Sequence, residues 1–177
     1  KTFDRGRKAL GNIERPVVIQ TGQTLTINDL MVETFTKCHD AADPFGVVVS
    51  CNGARIGLVT DLGRSTRLVE DRLKNCQALI IEFNHDQQML DEGPYPLYIK
   101  RRIKGQEGHL SNRQGADLLG AVSHKGLRHV VLAHLSEINN DMDKARELGE
   151  EALEKSGLGD VNICLSLQEE ALAMIAL

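Results

Sequence analysis

Apolar segments that alternate with helical sequence constrain the fold of this chain more than any other feature. Residues 78–83 and 130–133 read as apolar runs, which are typical of strands buried on both faces. Helical segments are predicted around them at 65–75, 111–123 and 141–156. Strands that alternate with helices in this way form β-α units with parallel strand pairs.

The first third of the chain has a different pattern, which predicts two antiparallel hairpins. Residues 24–28 and 30–37 alternate apolar and polar side chains on either side of Asn28-Asp29. Residues 46–51 and 54–60 flank Asn52-Gly53, a residue pair that favours a two-residue hairpin turn. Hairpins followed by β-α units predict a mixed sheet with helices, an α/β architecture.

Shorter elements are predicted in the remaining segments. Ser65 and Ser111 are predicted to cap the helices that follow them, because a side-chain oxygen accepts a bond from a free backbone N–H there. The other predicted elements are a helix at 2–11, a strand at 17–20, a helical turn at 85–91, a basic helix at 97–104 and terminal strands at 161–167 and 171–177.

Composition and charge limit the classes of partner. The 177 residues suit one domain, and 41% hydrophobic with 26% charged residues is a globular balance. A formal net charge of −4 argues against non-specific binding of nucleic acid, which depends on surplus Lys and Arg. A local basic cluster stands out nevertheless, and it is either a solvated helix face or a contact for phosphates: Lys100, Arg101, Arg102 and Lys104.

Cysteine usage and hydropathy predict a reduced cytoplasmic protein. The four cysteines form no C-x-x-C pair, which argues against a structural zinc site or a disulfide framework. No apolar run approaches the roughly 20 residues that span a bilayer, and no signal-peptide pattern is present. The chain opens on Lys1 inside helical sequence, so we expect one domain over 1–177 that lacks its N-terminal part.

Three polar residues follow predicted strands directly. They are His39, Asp61 and His134, and ligands often collect at strand ends in α/β sheets. Two histidines and one carboxylate suit a divalent ion such as Zn²⁺ or Mn²⁺, and the carboxylate can bridge two ions. A cap or turn residue is the alternative for each of the three.

Long segments of the chain resemble a known family. These are "TKCHDAADPFGVVVSCNGARIGLVTDLG" (36–63), "EFNHDQQMLDEGPYPLYIKRRIKGQEGHLSN" (82–112) and "HVVLAHLSEINN" (129–140). They resemble metallo-β-lactamase-fold hydrolases of the YycJ/WalJ type, which are exonuclease-like enzymes. The resemblance implies half of an αββα sandwich, and two divalent ions, Zn or Mn, near the three residues named above.

The same resemblance implies roles for individual residues. His39 and His134 would be metal ligands, and Asp61 the bridging carboxylate that also takes part in catalysis. His109, in a loop that resembles the His-Ser-Thr loop of tRNA-processing endonucleases, would be the general acid. Substrate contacts would come from His85, Ser111, Lys100, Arg101 and Arg102. A local helix-cap role for Asn84 and Asp86 is the alternative beside His85, and His124 and His129 are predicted to be structural.

One family signature is missing. No H-x-H occurs in the chain, so the H-x-H-x-D-H motif of the family is absent and only three of its expected ligands remain. Half of the sandwich would also leave an apolar sheet face exposed. Either the N-terminal half is lost, disordered or supplied elsewhere, or the chain is inactive.

The function that this pattern favours is hydrolysis of a phosphodiester by a metal-dependent enzyme, with DNA exonuclease as the leading interpretation. DNA or another phosphodiester is the expected partner, no membrane contact is expected, and the oligomeric state stays open. The alternatives are a small-substrate hydrolase of the same fold, acting on a cyclic phosphodiester or a thioester, and a non-catalytic truncated module.

Overall fold

The computed structural model describes residues 8, 9, 11, 13 and 16–177. Seven strands form one sheet, in which they lie side by side in chain order. The strands are β1 (Thr24–Ile27), β2 (Leu30–Thr36), β3 (Phe45–Cys51), β4 (Ala54–Val59), β5 (Ala78–Glu82), β6 (His129–Ala133) and β7 (Asn162–Leu165). The helices in this part of the chain are α1 (Arg67–Leu73), α2 (Gln87–Glu92), α3 (Leu97–Ile103), α4 (Asn112–Val122) and α5 (Met142–Lys155).

The sheet is mixed, as the sequence predicted. Strands β1 to β4 pair antiparallel through hairpins, and β4 to β7 pair parallel. The β3–β4 turn is made by Asn52 and Gly53, both at positive φ, which the two-residue hairpin requires. Two antiparallel steps separate β2 from β4, so β2 runs in the same direction as β4 to β7. The carboxyl ends of β2, β4, β5 and β6 therefore meet at one edge of the sheet.

One face of the sheet is buried under helices. Val48, Gly57, Leu79, Val130 and Ile163 lie in one row across the sheet, and all five are buried. On α5, a Cβ at Gly149 would stand 3.3 Å from side-chain atoms of Ile163 and Leu132, so the helix backbone approaches the sheet closely. This layer carries the main apolar core, whose burial drives folding.

The opposite face of the sheet is apolar but partly exposed. Val47, Leu58, Ile80, Val131 and Cys164 form one row on it. Leu58 keeps 39% of its surface accessible, although it lies on a central strand. The sequence predicted an exposed apolar sheet face, and the structure has one.

Several element predictions were wrong at the margins. Residues 17–20 and 171–177 form no strand, and Val18 is 85% exposed. An apolar run becomes a strand only where the backbone of a neighbouring strand pairs with it, and neither segment is paired in the sheet. The predicted strand 161–167 shortens to β7.

The N-cap of α1 is Thr66 rather than Ser65. The Thr66 hydroxyl accepts the backbone N–H of Val69, whereas the Ser65 hydroxyl donates to Glu70. The predicted helix at 2–11 lies mostly outside the described residues. None of the helices in the described part of the chain combines the length and the apolar character that a membrane crossing requires.

Candidate metal centre

Four polar residues meet where the strands end. His39 follows β2, Asp61 follows β4, Glu82 is the last residue of β5 and His134 follows β6. Their strands run in the same direction, so the side chains gather at one edge of the sheet. A fifth residue, His109, reaches this cluster from the loop before α4.

The Asp61 carboxylate lies at the centre of the cluster. Its Oδ1 atom is 3.6 Å from His39 Nε2, 3.7 Å from His134 Nε2 and 3.8 Å from His109 Nδ1. The three imidazole rings form a row, with His109 in the middle and ring centroids 5.2 Å and 5.1 Å apart. The structure thus brings His39, Asp61, His109 and His134 together, and their roles stay predictions.

Glu82 was not predicted as a site residue, yet it connects the cluster. Its carboxylate has no accessible surface and accepts four hydrogen bonds from separate segments. His109 Nδ1 donates at 2.9 Å and His134 Nδ1 at 2.6 Å, both to Oε1. The backbone N–H groups of Leu62 and Leu110 donate to Oε2, at 2.7 Å and 3.3 Å. A buried carboxylate is stable only with such partners.

The charge state of Glu82 follows from these bonds. Burial alone would raise the pKa of this carboxyl, but the hydrogen bonds from His109, His134 and Leu62 outweigh it and lower the pKa to about 2. The same contact acts on its partner, because the Glu82 carboxylate raises the pKa of His134 more than burial lowers it. Glu82 is therefore an anion near neutral pH.

The hydrogen-bond partners of the three imidazoles indicate which ring nitrogens carry protons, because each partner is an oxygen that can only accept. A carboxylate only accepts, so His109 and His134 must hold a proton on Nδ1 to bond Glu82. His39 Nδ1 lies 3.1 Å from the carbonyl oxygen of Gly108, which also only accepts. With the proton on Nδ1, a singly protonated ring at His39 or at His134 would direct an Nε2 lone pair toward Asp61. Metal-ligating histidines have this arrangement, with the second nitrogen donating to a carbonyl or carboxylate.

The backbone at two of these residues adopts an unusual conformation. Asp61 has φ 51° and His134 has φ 59°, in the left-handed region that favours glycine. The other non-glycine residues with positive φ in the described part are asparagines, which tolerate it better: Asn28, Asn52 and Asn75. The Asn84 side chain holds the His134 turn, since its Nδ2 donates to the His134 carbonyl at 2.8 Å. Strained backbone of this kind is typical of functional sites.

In the loop that carries His109, the backbone is packed so closely around Gly108 that no side chain would fit there. A Cβ at Gly108 would stand 2.2 Å from the carbonyl oxygens of both Arg102 and Ile103. The Gly108 carbonyl is also the partner of His39 Nδ1. One glycine therefore positions two imidazoles of the cluster.

His85 and Ser111, predicted as substrate contacts, lie deeper. His85 is 2% exposed, and burial lowers its pKa to about 4. Its Nδ1 atom is buried without a hydrogen-bond partner among the described residues. Ser111 is the N-cap of α4 and forms a capping box with Gln114. Neither lines the cleft at the cluster, whereas Asp86 does cap α2, as the alternative interpretation expected.

The basic cluster divides into separate contacts. Arg102 forms a two-pronged ion pair with Asp40 and borders the cleft at the cluster. Lys100 donates to the carbonyl of Asp91, and Lys104 pairs with the Asp91 carboxylate. Arg101 is exposed on α3. Of these predicted contacts, Arg102 is the one the structure brings to the cleft.

Two alternative sets of metal donors exist in this cluster. Asp61, Glu82, His109 and His134 each offer one ligand atom, and these atoms lie within 4.8 Å of one another. Glu82, however, already accepts four hydrogen bonds, so its oxygens are not free to coordinate an ion. We favour His39 Nε2, Asp61 Oδ1 and His134 Nε2, which lack such partners and suit a divalent ion.

Lys37 is a further neighbour that sequence reasoning missed. Its ammonium donates to the carbonyl of Thr60, beside Asp61. Burial lowers its pKa, while the charges of Asp61 and Glu82 act in the opposite direction. Lys37 stands between the exposed end of β2 and His39. Nothing in the sequence around it distinguishes it from an ordinary surface lysine. Glu82 does have a sequence signal. It is a carboxylate in a strand that is predicted to be buried on both faces, and a buried carboxylate requires hydrogen-bond or charged partners.

Comparison with known proteins adds to this geometry. No protein-family model matches the chain. The chain is 35% identical over 161 residues to exodeoxyribonuclease YycJ of Bacillus anthracis, and the alignment covers 90% of the chain. It is 30% identical over 154 residues to exodeoxyribonuclease WalJ of Streptococcus pneumoniae, with 86% of the chain covered. The chain spans only 61% and 57% of the lengths of these relatives.

Solved structures share the fold at low sequence identity. The metallo-β-lactamase fold protein YhfI from Bacillus subtilis matches with a TM-score of 0.60 and 13% identity, over 85% of this chain and 52% of its own. The chain has the metallo-β-lactamase fold. The Zn(2+)-bound PqqB of Methylobacterium extorquens matches with a TM-score of 0.54 and 17% identity, over 88% of this chain and 55% of its own. The predicted fold is thereby confirmed, and the two curated relatives support the predicted YycJ/WalJ resemblance. The chain corresponds to about half of each of these two solved structures.

Proposed function

We propose that this metallo-β-lactamase-fold chain carries part of the catalytic site of a metal-dependent phosphodiester hydrolase. The observation that carries the proposal is the convergence of two bare imidazole nitrogens on one carboxylate, 3.6 Å and 3.7 Å away, beside a third imidazole. Each of the two ligand imidazoles is held in its tautomer by an acceptor on its far nitrogen.

The donor set fits a divalent ion of the Zn²⁺ or Mn²⁺ type. His39, Asp61 and His134 would hold it, and three protein donors leave an open position for water or substrate. When bound, such ions supply Lewis-acid polarisation of a phosphate and activation of water. A second ion that shares the Asp61 carboxylate would need more donors than these three side chains.

His109 is the proposed general acid. Its Nδ1 bonds Glu82 at 2.9 Å, so its Nε2 is left to face the cleft it lines. The Glu82 carboxylate fixes the ring orientation through this bond, as the buried carboxylate does in catalytic triads. Donation of the Nε2 proton to the departing oxygen of a phosphodiester is the role we propose.

DNA is the proposed substrate class, and exonucleolytic cleavage the proposed mode. The support is the similarity to two proteins named exodeoxyribonucleases. Arg102, beside the cleft, supplies a guanidinium that suits a phosphate, although it is paired with Asp40. We also propose a reducing cytoplasmic location, where the four thiols of the chain stay unpaired.

Metal binding and DNA hydrolysis test the proposal together. Calorimetric titration with Mn²⁺ or Zn²⁺ is expected to show stoichiometric binding by the chain, and His134→Ala to weaken it at least about tenfold. His124→Gln is the matched control, because His124 lies away from the cluster and bonds the Cys76 carbonyl. Equal metal affinity in all three proteins would remove the ligand assignment.

Hydrolysis is then measured on end-labelled single- and double-stranded DNA with Mn²⁺. Metal-dependent release of nucleotides that falls steeply with salt supports DNA as substrate, because phosphate contacts release counterions. Hydrolysis confined to a small cyclic phosphodiester or a thioester would favour the small-substrate alternative. A chain that binds metal but cleaves none of these substrates would favour a non-catalytic module.

A further inference from the structure

The cleft at the metal-ligand candidates combines a polar cluster with apolar side chains. It encloses about 500 Å³ and is bordered by the imidazoles and by the Asp61 carboxylate. Two chain segments add apolar groups to it, the stretch through α3 and the loop after β6. We call these groups the apolar wall: Tyr95, Ile99, Ile103, Leu135 and Ile138.

Most of the apolar wall stays accessible, whereas Ile103 is buried. Ile138 is 52% exposed, while Tyr95 and Ile99 are half-buried. Ile99 and Ile103 are four residues apart, so they share one face of α3, and that face borders the cleft. A phosphodiester gains nothing from this surface, because its charged oxygens prefer polar partners. The wall fits a flat apolar group attached to the phosphate.

We propose that the apolar wall is a subsite for one unpaired nucleobase next to the scissile phosphate, with the Tyr95 ring as its stacking partner. The inference rests on the proposed function and adds to it the part of the substrate that is recognised. Every base has a π-face that stacks on an aromatic ring, so this recognition tolerates any sequence. The aliphatic side chains of the wall, above all Ile138, pack against the base and the sugar.

The size of the cleft limits what enters it. A volume of about 500 Å³ is that of a site for one small molecule. A base inside a duplex is paired and stacked, so its faces are covered and it must leave the stack to enter such a pocket. The subsite therefore selects frayed or single-stranded ends, one nucleotide at a time.

Fluorescence of a base analogue tests the subsite without any need for turnover. Single-stranded oligonucleotides carry 2-aminopurine at the 5′ end, at the 3′ end or internally, and are titrated with the chain in buffer with EDTA. The chain has no Trp, so the probe is excited selectively. We expect quenching of one terminal probe and little change in the internal one. Tyr95→Ala should weaken binding roughly fivefold to a hundredfold, and Tyr95→Phe should retain it.

The second tyrosine of the chain is a matched control. Tyr98 is 70% exposed and does not border the cleft, so Tyr98→Ala should bind like the unchanged chain. Circular dichroism and thermal melting of each variant establish that it is folded. Equal weakening by Tyr98→Ala and Tyr95→Ala overturns the subsite, and so does equal affinity for an oligonucleotide with an abasic terminal residue.

The outcomes separate the subsite from the hydrolase itself. Terminal quenching that depends on Tyr95, in a chain that hydrolyses no phosphodiester with any metal, contradicts the proposed function and leaves a base-binding site. Metal-dependent hydrolysis without any dependence on the terminal base contradicts the subsite alone. A chain that binds no DNA end at all also overturns the subsite.

Discussion

Glu82 shows at the scale of single residues how one side chain organises a site. The carboxylate is fully buried and accepts from His109, His134 and two backbone amides. These donors lie in three segments that are distant in sequence, so one anion connects two strand-end loops and the loop before α4. It also leaves the Nε2 atoms of both imidazoles free for chemistry. Stability and site geometry therefore depend on the same charge.

Glu82→Gln is expected to destabilise the chain and to disorder the site. The two imidazoles bond one carboxylate oxygen and the two backbone amides bond the other. In either orientation the amide NH₂ of Gln would therefore face two of these donors, and the loss of the buried anion and its bonds costs about 3–5 kcal/mol in the free energy of unfolding. Urea denaturation in the presence of EDTA measures this without metal contributions. Glu147→Gln, at an exposed position on α5, is the control and should leave stability unchanged. Equal stability of the two variants would contradict the role of Glu82.

At the scale of elements, the loop between α3 and α4 positions two imidazoles at once. Its His109 side chain enters the cluster, and its Gly108 carbonyl holds His39. The N-cap Ser111 and the bond from Asn112 N to the His85 carbonyl, at 2.8 Å, tie the loop end to the segment after β5. The loop is thus fixed by backbone contacts on both sides, as a site that orients catalytic groups requires.

Gly108→Ala is expected to displace this loop. The added methyl group would overlap the carbonyl oxygens of Arg102 and Ile103 at 2.2 Å, so the backbone must shift and the His39 contact is lost. We expect a loss of about 1–3 kcal/mol in stability together with weaker Mn²⁺ binding, measured by urea denaturation and calorimetry.

Gly120→Ala is the control for this substitution. Nothing lies within 4 Å of a Cβ at that position of α4, so alanine should stabilise the helix by up to about 1 kcal/mol. Metal binding should stay unchanged in this variant. If Gly108→Ala keeps both stability and metal affinity, the loop does not position the imidazoles.

At the scale of the whole molecule, one sheet separates two different surfaces. The helix-covered face holds the core, whereas the other face presents half-exposed apolar side chains such as Leu58. The catalytic candidates lie on neither face but at the edge where parallel strands end. Global stability also depends on how the buried ionisable groups of this edge titrate, because their pKa values differ between the folded and the unfolded chain.

The contribution of His85 to the stability of the whole chain is expected to fall as pH decreases below about 6.5. The pKa of His85 is lowered to about 4 in the fold, so the unfolded chain takes up its proton first and is favoured between about pH 6.5 and 4. Between pH 7.5 and 5 this amounts to roughly 2 kcal/mol. Glu82, with a pKa lowered to about 2, adds a further loss only below about pH 4.5.

His134 contributes with the opposite sign. Its raised pKa stabilises the fold below about pH 6.5, and that stabilisation is lost as pH rises through the folded value. The stability of the chain is therefore compared with that of its His85→Leu variant, both in EDTA. His134 is present in both proteins, so its contribution cancels in the difference. The variant should lose less stability than the unchanged chain between pH 7.5 and 5, by urea denaturation. Parallel pH profiles would contradict the buried neutral state of His85.

Much of this fold was predictable because its signals are local. Turn residues, caps and apolar periodicity act within a few residues, so the Asn52-Gly53 hairpin and the helix predicted at 141–156 follow from short stretches of sequence. Strand ends are local features too, which is why His39, Asp61 and His134 could be singled out before any coordinates. Their role as ligands remains a prediction.

Tertiary structure decided everything that depends on distant partners. Glu82 meets its two imidazoles across 27 and 52 residues of chain, and no local pattern encodes such a pairing. The apolar residues at 171–177 stayed outside the sheet, because a strand exists only where a neighbour satisfies its backbone hydrogen bonds. Sequence by itself determined which residues stand at the ends of strands. The packing of strands and loops determined which of them touch, because contact energies depend on three-dimensional distance.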